Sequence, residues 1–226
     1  MKKQLKAVLF GSIGTIAETS ELQRQSYNLA FKRLEVGCYW NVANYCEMLK
    51  VPGGKERIRK FSVPNIAEDL VDKIHNLKEE IYAELIEQED ISRREFVEVF
   101  HHSKASDLKV GLITTTSQKN ISSLSKALED KVNFSDFDLI TSSKDCSIPK
   151  PDPEIYQKAL CSMGIKPEEA IAIEDTQVNL SAPKLAKINS LLYPGEYSNY
   201  TKEVQPSFDL MEEIFQIEIL FFPTRI

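Results

Sequence analysis

Short apolar runs, each closing on a polar or glycine-containing tip, constrain this chain more than any other feature. Ala7-Val8-Leu9-Phe10 runs into Gly11-Ser12-Ile13-Gly14-Thr15. The run from Leu108 to Ile113 ends in Thr114-Thr115-Thr116-Ser117, and Ala170 to Ile173 ends at Glu174-Asp175-Thr176. Two weaker runs lie at 137–141 and 190–193. A short continuous apolar run is the signature of a strand buried on both faces, as in a parallel sheet. Helical spacing follows the later runs, at 121–128, at 154–163 behind the stiff turn Pro149-Lys150-Pro151-Asp152-Pro153, and after Thr176. Strand–helix alternation predicts an α/β fold: a three-layer, Rossmann-like parallel sheet with helices on both faces.

The first and second runs are separated by a block that is helical throughout. Apolar residues recur at helical spacing over 20–34 and 42–49, and a long pattern rich in Glu and Lys covers 66–89. A further helix follows Ser92, and Val51-Pro52-Gly53-Gly54 breaks the block. The expected organisation is a core of 1–17 and 91–226 carrying an inserted helical cap of 18–90.

Composition narrows the function. The 226 residues are 42% hydrophobic and 27% charged, ordinary for a globular chain able to bury a full core. The formal net charge of −6 argues against a nucleic-acid partner or an anionic membrane surface, both of which need a basic face. Apolar runs fall far short of a bilayer span. Four apolar residues after Met-Lys-Lys-Gln-Leu-Lys are too few for a secretory leader, so a cytoplasmic chain is expected. Cys38, Cys46, Cys146 and Cys161 have no C-x-x-C spacing, which fits a reduced compartment and removes zinc and thioredoxin-like readings. His75, His101 and His102 form no ligand cluster and read as surface or linker residues.

In open parallel sheets ligands bind beyond the carboxyl ends of the strands. The tips Gly11 to Ile13, Thr114 to Thr116 and Glu174-Asp175, with Lys150, are therefore one candidate site. Thr114 brings a hydroxyl, and backbone N–H groups leading into a helix suit an anion. Lys150 brings a positive charge. Glu174 and Asp175 are oxygen ligands fit for a hard cation such as Mg²⁺. Together they describe a phosphoryl-handling pocket. Each has a bland explanation alone: a polar loop, a solvated lysine, a helix N-cap. Their order, each after an apolar run, carries the joint reading.

In that order the chain resembles the haloacid dehalogenase-like (HAD) hydrolases, and among them the β-phosphoglucomutase-like, CbbY-type sugar-bisphosphate phosphatases. The likeness extends to about residue 200. The family's second motif falls on Thr114, its third on Lys150 in Lys-Pro-Asp-Pro-Glu-Ile-Tyr, and its fourth on Glu174-Asp175-Thr176. Gly53-Gly54-Lys55-Glu56-Arg57 is the most specific match to the CbbY branch. The resemblance implies that Thr114, Thr115 and Lys150 hold a phosphate, that Glu174 and Asp175 hold Mg²⁺, and that Lys55 and Arg57 of the cap hold a distal phosphate.

The first motif departs. Where the family has Asp-x-Asp-Gly-Thr/Val, this chain has Gly11-Ser12-Ile13-Gly14-Thr15. Gly11 has no side chain to carry a covalent intermediate. Ile13 cannot move a proton. Losing a nucleophile from a concerted site costs on the order of 10⁴ to 10⁶ in rate. Metal binding should weaken too, because the first aspartate is a ligand in the family, so Mg²⁺ is expected weak or absent. Ser12, on the opposite side of an extended strand, is a poor substitute. Gln23, Ser20, Asn179 and Lys187 are further departures, and Pro183 interrupts a helical stretch. The expected function is that of a phosphatase-like protein, inactive or severely impaired, that retains a phosphorylated small molecule. Two alternatives stay open. One is an active Mg²⁺-dependent hydrolase with a non-standard nucleophile. The other is an interaction scaffold, for which the apolar tail from Phe215 to Pro223 is the candidate surface. If the rest of the pocket is intact, reverting Gly11→Asp with Ile13→Asp should restore hydrolysis.

Overall fold

The computed structural model describes residues 5–11, 13–51, 53–195 and 197. Ser12, Pro52 and the apolar tail therefore lie outside the described residues. Five parallel strands form one sheet: β1 (Ala7–Phe10), β2 (Lys109–Leu112), β3 (Leu139–Ile140), β4 (Ala170–Glu174) and β5 (Asn189–Leu192). Their order is β3-β2-β1-β4-β5, so β1 lies at the centre, paired on both sides. That position explains its four apolar residues, all fully buried.

Side chains alternate across the sheet and feed two cores. Val8, Phe10, Val110, Leu112, Ile171 and Ile173 face α6 (Arg94–Ala105) and α7 (Gln118–Ala127). Ala7, Leu9, Ala170 and Ala172 face α8 (Glu154–Met163) and α9 (Gln177–Leu185). Helices on both faces match the expected α/β architecture. Strand β3 is shorter than the 137–141 run suggests. Phe137 packs its ring against Phe100 and Phe134, while Thr141 turns its hydroxyl to Thr114.

After β1 a single helical turn, α1 (Ile13–Ile16), leads into α2 (Ser20–Arg33), α3 (Val42–Met48), α4 (Gly54–Phe61) and α5 (Glu68–Ile86). These helices share a third core of Tyr27, Phe31, Trp40, Tyr45, Ile58, Val71, Ile74 and Ile81. The chain leaves and returns side by side: Ala17 and Ser92 form an antiparallel bridge, and the Glu18 N–H donates to Ile91 O at 2.9 Å. Arg93 braces this crossing. Its guanidinium donates to Gly14 O (2.7 Å) and Pro194 O (3.0 Å) and lies over the Tyr193 ring. Helix α4 has no counterpart in the periodicity reading. Its sequence, GKERIRKF, buries only Ile58, too little apolar spacing to register.

Candidate functional site

The sheet register sets Phe10 beside Leu112 and Ile173, so Gly11, Ile113 and Glu174 emerge abreast. Lys150 crosses beneath all three. Its ammonium donates to Gly11 O, to Ile113 O at 2.6 Å and to Glu174 Oε1 at 2.7 Å. A lysine ammonium has three donors, and all three are engaged. Lys150 is only 4% exposed. Tyr156, on α8, donates its hydroxyl to the same Glu174 Oε1 at 2.7 Å. Glu174 is fully buried, and its Oε2 has no hydrogen-bond partner. Burial pushes the Glu174 carboxyl above the usual carboxylate range against the pull of Lys150. Burial also pushes the Tyr156 hydroxyl well above its ordinary value.

The Glu174 carboxyl fills the space beside Gly11. A Cβ built on Gly11 would overlap the Glu174 carboxyl carbon and Oε1 and the Tyr156 hydroxyl. The first-motif gap is thus occupied by an acid from the neighbouring strand. Reversion at position 11 has to displace that acid, so the pocket is not simply intact around a missing side chain. Gly14 shows the same close approach on the other side, where a Cβ would overlap Asp175 Oδ2. Asp175 also accepts from Asn179 Nδ2 at 3.2 Å, which gives Asn179 a local role.

Above these tips lies a cavity of about 480 Å³, within the range of small-ligand sites. Its sheet-side wall comprises Ile13, Gly14, Thr114 to Ser117, Asn120, Ser143, Asp175, Thr176 and Asn179. Its opposite wall comprises Gln23, Tyr27, Tyr45, Lys50, Gly53, Gly54, Arg57, His75, Lys78 and Glu79 from the helical block. Gly53 has φ +87°, the left-handed region that favours glycine. Gly54 lets the Tyr27 hydroxyl and His75 close on the start of α4, where a Cβ would meet His75 Nε2 at 3.0 Å.

The sequence-predicted residues separate in this geometry. Thr114 and Thr115 line the cavity, but the Thr114 hydroxyl accepts the Thr116 N–H at 3.1 Å and the Thr114 N–H donates to Thr141 Oγ1 at 2.9 Å. Arg57 lines the opposite wall, near the Tyr45 ring, and its Nε is buried without a hydrogen-bond partner. Lys55 does not join it. Its ammonium pairs with Asp72 at 2.7 Å, and its side chain is 45% exposed. Two positions along a helix differ by about 200° of rotation, so Lys55 and Arg57 face opposite ways. Lys150 and Glu174, expected to hold phosphate and metal, pair with each other under the floor of the cavity. His75, expected at the surface, lines the cavity, and burial lowers its pKa toward the neutral imidazole. Lys78 was unsignalled within its charge-laced helix. It is buried, ion-paired to Glu79 at 2.8 Å, and stands over the Tyr27 and Tyr82 rings. Its spacing from His75, three residues along one helix, is the signal that could have found it.

Mg²⁺ asks for near-octahedral oxygen ligation. Among the described residues no group of three His, Cys, Asp or Glu side chains could hold a metal ion. Glu174 Oε1 already receives two hydrogen bonds, and Asp175 alone of the acidic pair reaches the cavity. The donor set at the strand tips does not fit the ion well. The bland reading of Thr176 also holds: it caps α9, accepting the Asn179 N–H at 3.2 Å.

The model of the haloacid dehalogenase-like hydrolase family matches residues 8–193. Protein CbbY of Rhodobacter capsulatus is 32% identical over 201 residues, covering 86% of this chain and 88% of that protein. A crystal structure of CbbY from Rhodobacter sphaeroides, an aspartate-to-asparagine mutant in complex with xylulose-(1,5)bisphosphate, superposes with TM-score 0.80 at 30% identity. It covers 90% of this chain and 93% of that one. β-Phosphoglucomutase from Clostridium difficile, at 19% identity and TM-score 0.75, shares the fold over 98% of this chain and 100% of its own.

Proposed function

This chain belongs to the haloacid dehalogenase-like hydrolase family, and on that premise we propose that it is a CbbY-like member that binds a phosphorylated sugar and hydrolyses it poorly or not at all. The relationship to CbbY supports the sugar-phosphate part. The loss of turnover rests on one observation: the tip of β1 offers Gly11 and Ile13, and the space beside Gly11 holds a Glu174 carboxyl tied to Lys150 and Tyr156. Attack on phosphorus needs an accessible nucleophile in line with the leaving group. Glu174 is fully buried below the cavity. In this reading α2–α5 act as the cap over the strand tips, and Arg57 grips phosphate. Mg²⁺ binding is weak or absent. Four cysteines, none of them in a disulfide among the described residues, support a reduced, cytoplasmic setting.

The test has two parts. With Mg²⁺ present, p-nitrophenyl phosphate and xylulose 1,5-bisphosphate are offered to the full chain. Turnover is expected below detection, and a kcat of about 1 s⁻¹ or more, the ordinary enzyme range, refutes the inactive reading. Titration calorimetry with the same bisphosphate is expected to show binding. No heat of binding at millimolar ligand refutes retention of the sugar-phosphate pocket.

A further inference from the structure

Strand β5 leads into a segment fixed at one end to the sheet side and at the other to the helical layer α2–α5. The sheet-side end is held at several points. The Tyr193 N–H donates to Glu174 O at 2.7 Å, and the Tyr193 hydroxyl donates to Glu95. Arg93 donates to Tyr193 O at 3.1 Å and to Pro194 O at 3.0 Å. Gly195 then passes against Glu18, just before α2, where a Cβ would meet Glu18 Oε2 at 2.5 Å. Two residues on, Tyr197 is held by the helical layer. Its hydroxyl donates to Glu21 Oε2 at 2.5 Å, and its ring meets the Tyr45 ring edge-on, with centroids 6.4 Å apart. Tyr197 packs on the third core, whose other members, among the described residues, all lie between Tyr27 and Leu85.

That docking point is itself tied into the layer. Glu21 Oε2 also accepts from Arg24 Nε at 2.7 Å, and Arg24 Nη1 donates to Trp40 O at 2.7 Å. Tyr45 and Gly195 both line the cavity. The chain enters and leaves the layer side by side at Ala17 and Ser92. A few residues at element ends are where a hinge absorbs motion. A contact on α3 lies off that junction and resists rotation about it. We propose that the segment leaving β5 is a latch. Anchored on the sheet side through Arg93 and docked in the helical layer through Tyr197, it holds the layer down over the strand tips and sets how far the cavity opens. The latch acts whichever molecule the cavity takes.

Small-angle X-ray scattering of the ligand-free full chain tests the latch with two variants. Tyr197→Ala removes the docked ring and its hydroxyl. Four glycines inserted between Pro194 and Gly195 leave both anchors in place and add roughly 11 Å of reach to the tether. Both variants are expected to raise the radius of gyration by about 5% or more over the roughly 17 Å of a compact chain of 226 residues. The emission maximum of Trp40, buried in the third core, is expected to stay where it is. An unchanged radius in either variant overturns the latch. The insertion is the sharper case, because a side chain that only fills the layer's core is indifferent to the length of chain behind it. A larger radius accompanied by a red shift of Trp40 emission also overturns it, since the layer has then loosened internally instead of pivoting. The insertion variant keeps Tyr197, so the test stands even if the alanine variant does not fold.

Discussion

Swapping the buried carboxylate between strands tests the architecture of the strand tips. Glu174→Ala removes the counter-ion of a buried lysine. Breaking a buried pair in this way costs about 3–5 kcal/mol, because the remaining charge is uncompensated. Gly11→Asp inserts a side chain where the Glu174 carboxyl already lies. Overpacking of that kind costs about 1–3 kcal/mol before any repulsion between the two acids. Together the changes are complementary: truncation at 174 opens the space, and the new carboxylate at 11 points to where Lys150 Nζ met its partner. The double variant is expected to be more stable than the sum of the single losses by about 2 kcal/mol or more, well beyond the ~0.5 kcal/mol within which independent sites add. Urea unfolding followed by far-ultraviolet circular dichroism measures all four corners, with unchanged slopes required for the comparison. Gly11→Ala, which adds only a methyl group, isolates the steric part should the aspartate variant prove too unstable. Additive losses refute the idea that Glu174 stands in the place of a side chain at 11.

Three further outcomes are expected from contacts elsewhere in the fold. Glu21 is held at about pKa 2 by the Arg24 guanidinium, aided by the Tyr197 hydroxyl and opposed by burial. A depressed carboxyl stabilises the fold above its unfolded value and loses that contribution as pH falls, so the melting-temperature gap between wild type and Glu21→Gln should close from about pH 4.5 to about 2. A gap independent of pH refutes the assignment. Lys187 sits at φ +62°, where a side chain is strained, so Lys187→Gly is expected to stabilise by about 1 kcal/mol in urea unfolding, and a loss of stability contradicts it. Arg93→Ala removes the brace between Gly14 and Pro194, and a loss of about 2–4 kcal/mol is expected, against no measurable change if the brace is incidental.

Much of the fold was legible because β1, β2 after its exposed Lys109, and β4 as far as Ile173 are buried on both faces and must be apolar there. The helix after Pro153 was equally plain, since the prolines before it cannot extend a strand. The site was legible only as a set of positions. Helix α4 escaped because seven of its eight residues are not buried, and without a helix there was no rotation to separate Lys55 from Arg57. Lys150 reaches the ends of β1 and β2, but no pattern along the chain reports where an ammonium aims its protons. Its direction depends on the glycine at 11, which makes room for Glu174, more than a hundred residues away. For the same reason the paired reversion of Gly11 and Ile13 looked simple in sequence and is not simple in space.

The sole tryptophan gives the molecule an optical reporter with a fixed address. Trp40 is buried among Tyr27, Phe31 and Tyr45, its indole N–H bonded to Phe61 O at 3.0 Å and its carbonyl accepting from Arg24 and Asn28. All of those neighbours lie in α2, α3 or α4. Its emission therefore registers loosening of that layer alone, while ellipticity sums over every helix. If the layer melts ahead of the sheet, the fluorescence midpoint will precede the dichroism midpoint, and a ligand bridging the two walls should draw the two curves together.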